Sequence, residues 1–179
     1  TGEFTFTDVH TADIDGDDDP DVLALLEEKG SGSVDRKIVW YENVDGGDEF
    51  SSATVIAGRS NEQGWVSSPL DVNGDGDLDV VSFYGAKIDD DADDVTLQWH
   101  ENEGDGTFKA PKTFASISSL NSPPQRLPVP RGAVQVADLN GDGRQDLYFP
   151  RIARGVVQWY PNLENGTFGE KRTIGDVPR

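Results

Sequence analysis

Cysteine is missing from this 179-residue chain, and so is methionine. Without cysteine neither a disulfide framework nor a thiolate metal site can form. The two histidines, His10 and His100, are too few for a histidine metal centre. Basic residues are scarce: 15 Lys and Arg stand against 34 Asp and Glu, a formal net charge of -19. Such a surface repels nucleic acid, and no Lys/Arg stripe offsets it locally. Anionic membrane surfaces are unfavourable for the same reason. No apolar run approaches the roughly 20 residues of a membrane-spanning helix, so insertion is not expected. No Ser-His-Asp order, phosphate loop or HExxH string occurs, and no catalytic pair stands out among the carboxylates. The expectation is therefore not an enzyme. The chain opens at Thr1 without a signal-peptide pattern and reads as a mature or excised segment.

What is abundant is aspartate, and it is ordered. "DIDGDDDPDV" (Asp13 to Val22), "DVNGDGDLDV" (Asp71 to Val80) and "DLNGDGRQDL" (Asp138 to Leu147) are three copies of one string. A second tag recurs as "VWYEN" (Val39 to Asn43), "QWHEN" (Gln98 to Asn102) and "QWYPN" (Gln158 to Asn162). A third ends at Phe50, Phe108 and Phe168, and an apolar residue follows six positions on: Ile56, Phe114 and Ile174. Trp40, Trp99 and Trp159 lie 59 and 60 residues apart, which sets a unit of about 60 residues.

The pieces of a unit read as strands. "DVVSFY" (Asp79 to Tyr84) and "DLYF" (Asp146 to Phe149) are β-branched or aromatic, and Val95, Leu97 and Trp99 alternate along "VTLQWHE". "DVLALLEEKG" (Asp21 to Gly30) would be a helix by propensity alone, but its register with the other two copies makes it a strand. About four short strands per unit describe a β-propeller blade; a β-sandwich with coincidental similarity is the alternative. The fold class is all-β: three four-stranded antiparallel blades, a partial or open propeller. The units fall at about 1–50, 51–108 and 109–168, with 169–179 starting a further strand. Only nine residues separate Phe4 from Asp13, against 21 and 30 for the equivalent stretches, so the first unit is expected to lack a leading strand. Three blades are too few for a ring of the usual four to eight, so further blades or other subunits are expected to complete it.

Alternating oxygen donors around a glycine turn suit a hard divalent cation. In the second string Asp71, Asn73, Asp75 and Asp79 are the candidate side-chain ligands at positions 1, 3, 5 and 9, Asp77 offers its carbonyl, and Gly76 turns. In the third the set is Asp138, Asn140, Asp142 and Asp146, with the carbonyl of Arg144 and the turn at Gly143. In the first it is Asp13, Asp15, Asp17 and Asp21, with Asp19 at position 7 and Asp18 replacing the glycine. The start resembles an EF-hand loop, but position 12 holds Ala24, Ser82 and Phe149 where that loop needs glutamate, and strands flank it. An all-oxygen set argues against zinc or copper, and magnesium prefers fewer protein ligands. About three calcium ions are expected, each pinning two strands. Ordinary self-capped Asp/Gly turns are the bland alternative, but without an ion they crowd like charges.

Taken together, loop, "WYEN" and "GTF" tags resemble the FG-GAP/VCBS family of propeller repeats, which includes the calcium-binding blades of integrin α-chain heads. The resemblance covers almost the whole chain. It implies a propeller, usually of seven blades, with calcium in inter-strand loops and an extracellular or cell-surface setting. The chain departs from the pattern at Asp18, at His100 and Pro161 within the second tag, and in having three blades. The function it implies is an extracellular interaction, adhesion or structural module whose partner is a protein, a glycan or further copies. The alternatives are a lectin-like propeller reading sugar with tryptophan, or a non-catalytic part of a sugar-active enzyme. "IDDDADDV" (Ile88 to Val95) reads as a solvated hairpin tip, and "SSLNSPPQRLPVPRG" (Ser118 to Gly132) as a surface loop. Asn165 in "NGT" is a glycosylation acceptor if the chain passes through a secretory pathway.

Overall fold

A computed structural model of the chain describes residues 3–30, 33–47, 49–60, 63–85, 95–117, 134–151, 156–164 and 166–175. Its strands form three four-stranded antiparallel sheets. The first contains β1 (Glu3–Ala12), β2 (Asp21–Lys29), β3 (Val34–Tyr41) and β4 (Thr54–Ser60). The second contains β5 (Gln63–Leu70), β6 (Asp79–Gly85), β7 (Val95–His100) and β8 (Lys112–Ile117). The third contains β9 (Gln135–Ala137), β10 (Asp146–Arg151), β11 (Val156–Tyr160) and β12 (Arg172–Ile174). Each sheet is a meander, as a propeller blade requires. No α-helix occurs among the described residues. Asp21–Lys29 is a strand despite its helix-forming composition. It is zipped to β1 from Glu3↔Lys29 to Ala12↔Asp21 and to β3 from Val22↔Tyr41 to Lys29↔Val34, and pairing on both edges overrides propensity.

Two expectations from the spacing are corrected. The first sheet does not lack a leading strand, because the short stretch before Asp13 is itself β1. It is short because Phe4 is itself a residue of β1, whereas residues 51–70, after the tag Phe50, carry both β4 and β5. Nor does Arg172–Ile174 start a further blade: it pairs with β11 as the fourth strand of the third sheet. The strand after each Phe tag closes the sheet before it. The sheets therefore run 3–60, 63–117 and 135–174, past Phe50, Phe108 and Phe168.

The core lies between sheets. Leu23, Leu25, Ile38 and Trp40 of the first pack with Val80 of the second, and Ile14 joins them from the loop. Val81, Phe83, Leu97 and Trp99 of the second pack with Leu147, Phe149 and Tyr160 of the third. Alternation along each strand thus serves both neighbours. Val80 faces backward and Val81 forward, which is why the strands read as continuous apolar runs. The apolar residue after each Phe tag has a specific role in the first two sheets. Ile56 and Phe114 are extra residues at β-bulges opposite Ile38/Val39 and Leu97/Gln98, and both pack on the inter-sheet cores. Phe168 stacks on Phe114 with centroids 4.3 Å apart. The rings of Trp40 and Trp99 lie under the next sheet's tag turn. Trp40 covers Gly106 and Trp99 covers Gly166, both at positive φ, so closely that a Cβ on either glycine would overlap the indole.

One polar pair is sealed between the first two sheets. Ser82 Oγ and His100 Nε2 are 2.9 Å apart and both residues are buried. Burial, with the Arg59 charge nearby, lowers the His100 pKa to about 4 from 6.5. The folded state therefore refuses a proton that the unfolded chain accepts, so stability falls as pH drops through 6.5 towards 4. Between pH 7 and pH 5 this group alone removes about 2 kcal/mol. Urea unfolding at the two pH values should show a His100→Gln variant losing less stability than wild type by that amount; identical losses would contradict the assignment.

Candidate metal loops and the asparagine that ties them

The three strings lie between the first and second strands of their sheets. The aspartate at position 1 gathers the loop. Asp13 Oδ1 accepts from the Gly16 amide at 2.8 Å, and its Oδ2 from Asp18 at 3.0 Å. Asp71 accepts from Gly74 and Gly76, and Asp138 from Gly141 and Gly143, in the same way. Those amides, Gly143 first, hold the Asp138 carboxyl below its usual pKa. Position 5 repeats the device on a smaller scale: Asp17, Asp75 and Asp142 accept from the amides of Asp19, Asp77 and Arg144 at 2.9–3.0 Å. The turn position is left-handed in every copy, with φ 98° at Gly76, 86° at Gly143 and 71° at Asp18. Asp18 therefore adopts the glycine conformation, which aspartate tolerates better than most residues.

Position 9 does something the sequence reading did not assign. Asp21, Asp79 and Asp146 are fully buried. Asp21 Oδ2 accepts from Ile14 N at 2.9 Å, and its Oδ1 from Asn43 N at 2.8 Å. Asp79 takes Val72 and Asn102 in the same geometry, and Asp146 takes Leu139 and Asn162. One carboxylate thus ties the start of the loop to the asparagine of the "WYEN" tag. Burial raises the Asp79 pKa to about 6 despite these two amides. The asparagine carries the tie onward. Asn102 Nδ2 donates to Leu78 O in its own loop and, at 2.6 Å, to Ile14 O in the loop of the preceding sheet. The recurring Asn of the tag was the available signal, but its partner lies 88 residues away in sequence.

The loops differ in how they meet their own charge. In the first, Asp13, Asp15 and Asp21 each present a ligand atom within 4.8 Å of the others. Asp15 Oδ1 is buried with no hydrogen-bond partner. Desolvation, then the charges of Asp21 and Asp17, raise the Asp15 pKa. Among the described residues this is the acidic cluster with metal-site spacing. The second and third loops put an amide at position 3. Asn73 Nδ2 donates to Asp75 Oδ2 at 2.6 Å, and Asn140 to Asp142 at 2.9 Å. The third also has an internal cation. Arg144, expected to offer only its carbonyl, reaches back to Asp142 Oδ2 at 2.6 Å and across to Glu164 at 3.0 Å. Glu164 itself sits at φ 84°, where the second sheet has Gly104 at 88°. Asn165, residues 88–94 and the stretch 118–132 lie outside the described residues. The tryptophans of the tags, one basis for the sugar-reading alternative, are buried between sheets or under Arg172.

A model of the FG-GAP-like repeat matches residues 13–82 and again 83–149. The chain belongs to the FG-GAP-like repeat family. The three antiparallel sheets fit its propeller blades. No curated protein and no solved structure matches at a significant level.

Asp79→Asn tests the buried tie. The amide nitrogen would face a backbone N–H, leaving buried donors opposed, at about 2–4 kcal/mol. Chemical denaturation should show a loss of that size in calcium-free buffer, with a much smaller loss for the exposed position-5 change Asp75→Asn. Equal losses would remove the special role of position 9.

Proposed function

We propose that this FG-GAP chain is a calcium-stabilised set of propeller blades that serves outside the cell as a protein-interaction module. The observation that carries the cation is the first loop: three carboxylates converge there and one oxygen, Asp15 Oδ1, is buried without a donor. A buried, unpaired carboxylate oxygen is strongly unfavourable unless a cation meets it. Oxygen-only donors select calcium or magnesium over softer metals, and a larger set of protein oxygens favours calcium. Asp13, Asp15, Asp17 and Asp21 would hold the ion with the Asp19 carbonyl, and the equivalent residues would do so in the other loops. The ion would supply the positive charge that lets the loop carboxylates approach. The interaction role rests on the family, whose repeats form propeller-like binding modules. The extracellular setting rests on the same family habit. The carbohydrate alternative gains nothing from the buried tag tryptophans.

The loops should not bind equally. Arg144 already neutralises Asp142, so the third should bind more weakly than the first. Removing calcium with a chelator should lower the melting temperature. Free calcium at a hundredfold excess over the Kd of one loop adds about 2.7 kcal/mol per site. Asp15→Asn should have opposite effects on the two forms: higher stability without calcium, because repulsion is relieved, and a smaller gain with it. Calorimetric titration and melting curves that show no response to calcium would sink this reading.

A further inference from the structure

The trailing face of the first sheet packs on the leading face of the second, and the second packs on the third in the same way. The two junctions differ where a loop meets the next sheet's tag. At the first junction the tag leans on the preceding loop at two points. Asn102 Nδ2 donates to Ile14 O at 2.6 Å, and the Gly104 carbonyl lies 3.5 Å from where a Cβ on Gly16 would be. The equivalent loop residues at the second junction are Val72 and Gly74. There Asn162 Oδ1 accepts from Glu164 N at 3.2 Å, but among the described residues no hydrogen bond from its Nδ2 reaches the second loop. Nor does any described atom lie within 4 Å of a Cβ built on Gly74. Glu164, which stands where the second sheet has Gly104, turns to Arg144 of its own loop.

Ile14 is the residue on which this contact turns. It lies between Asp13 and Asp15, the carboxylates at positions 1 and 3. Its amide donates to Asp21 Oδ2 at 2.9 Å, its carbonyl accepts from Asn102, and its side chain is buried in the core shared with Val80. The three carboxylates that converge within 4.8 Å therefore share one backbone unit with the junction. Their mutual repulsion strains that unit, and a cation relieves it. Resting on the calcium reading of the first loop, we infer that Asn102 transmits cation binding from that loop to the second sheet. The first junction then tightens with calcium, while the second loop exerts no such pull on the third sheet. Asn102 is a positioning residue, not a ligand, because both ends of its amide are taken. Oδ1 accepts from Gly104 N at 3.2 Å, and Nδ2 donates to the Ile14 and Leu78 carbonyls. The coupling is reciprocal: docking of the second sheet raises the calcium affinity of the first loop by the same factor.

Hydrogen exchange of the full chain, followed by peptide with saturating calcium and with chelator, tests this coupling. The quantity read is the ratio of the two exchange rates at each segment. A substitution that merely destabilises the fold moves both rates and leaves the ratio alone. In wild type, calcium should slow exchange in the first loop, residues 13–21, and in the tag turn, residues 102–108. Asp15→Asn combined with Asp17→Asn removes two ligand charges while leaving every residue of the junction in place. That pair should cut the ratio at 102–108 about fivefold, the factor for one net hydrogen bond. Asn102→Ala should cut it by a similar factor; if that variant fails to fold, the loop pair decides alone. Asp75→Asn, the matching change in the second loop, should leave the ratio at the third sheet's tag unchanged. A first loop that ignores calcium would overturn the calcium reading and this coupling with it. A first loop that responds, beside a turn 102–108 indifferent to the loop pair, overturns the coupling alone. An equal loss at the third tag on Asp75→Asn removes the difference between the junctions.

Discussion

A buried carboxylate at position 9 shapes each loop, and at the junction of the first two sheets it also ties one sheet to the next. Asp21, Asp79 and Asp146 sit where a charge is expensive, and each is stabilised by two backbone amides, one from the loop and one from the tag asparagine. Without the carboxylate those amides are buried donors with no acceptor. Because Asn102 then donates to the Ile14 carbonyl, the bond that shapes the second loop also fixes where the second sheet meets the first. Loop geometry and blade packing are therefore one constraint. A cation in the loop would act on inter-sheet stability through this path, since each carboxylate oxygen keeps a second lone pair.

The three loops share a pattern but not an electrostatic state. The first concentrates carboxylates and leaves one oxygen unmet. The second softens the crowding with an amide. The third adds a guanidinium, and the change at position 7 is matched by Glu164 across the turn. Where Asp77 stands in the second loop, its neighbour is a glycine with no room for a Cβ: one built on Gly104 would lie 2.6 Å from Asp77 Oδ2. Swapping aspartate for arginine and glycine for glutamate exchanges a steric fit for an ion pair, with the backbone left-handed in both.

Most of the fold was legible because it is written three times. Repetition overruled helix propensity at Asp21–Lys29 and identified strands too short to stand alone. What the spacing misjudged was phase. Counting from Phe tag to Phe tag assigned β4, β8 and β12 to the wrong side of a boundary, because a strand that closes one sheet follows a turn that packs on another. In the loops, donor type and turn conformation were readable, including Asp18 in the role of glycine. Where side chains point was not. Arg144 folds onto Asp142, and the tag asparagine works across a gap of 88 residues that no local pattern encodes.

The phase of the family repeat makes sense of this error. A unit spanning 13–82 holds Ile14, Leu23, Trp40 and Ile56, the trailing face of the first sheet, together with Val80 and Ser82 from the leading face of the second. The unit 83–149 holds Phe83, Leu97, Trp99 and Phe114, then Leu147 and Phe149 of the third sheet. What recurs in the sequence is thus most of an interface, not a sheet. A single sheet has two apolar faces and cannot bury either alone, whereas an interface is a packed core with its own tie. The first match opens at the loop before β2 and the second inside β6, so what the two share runs from the second strand of one sheet to the second strand of the next.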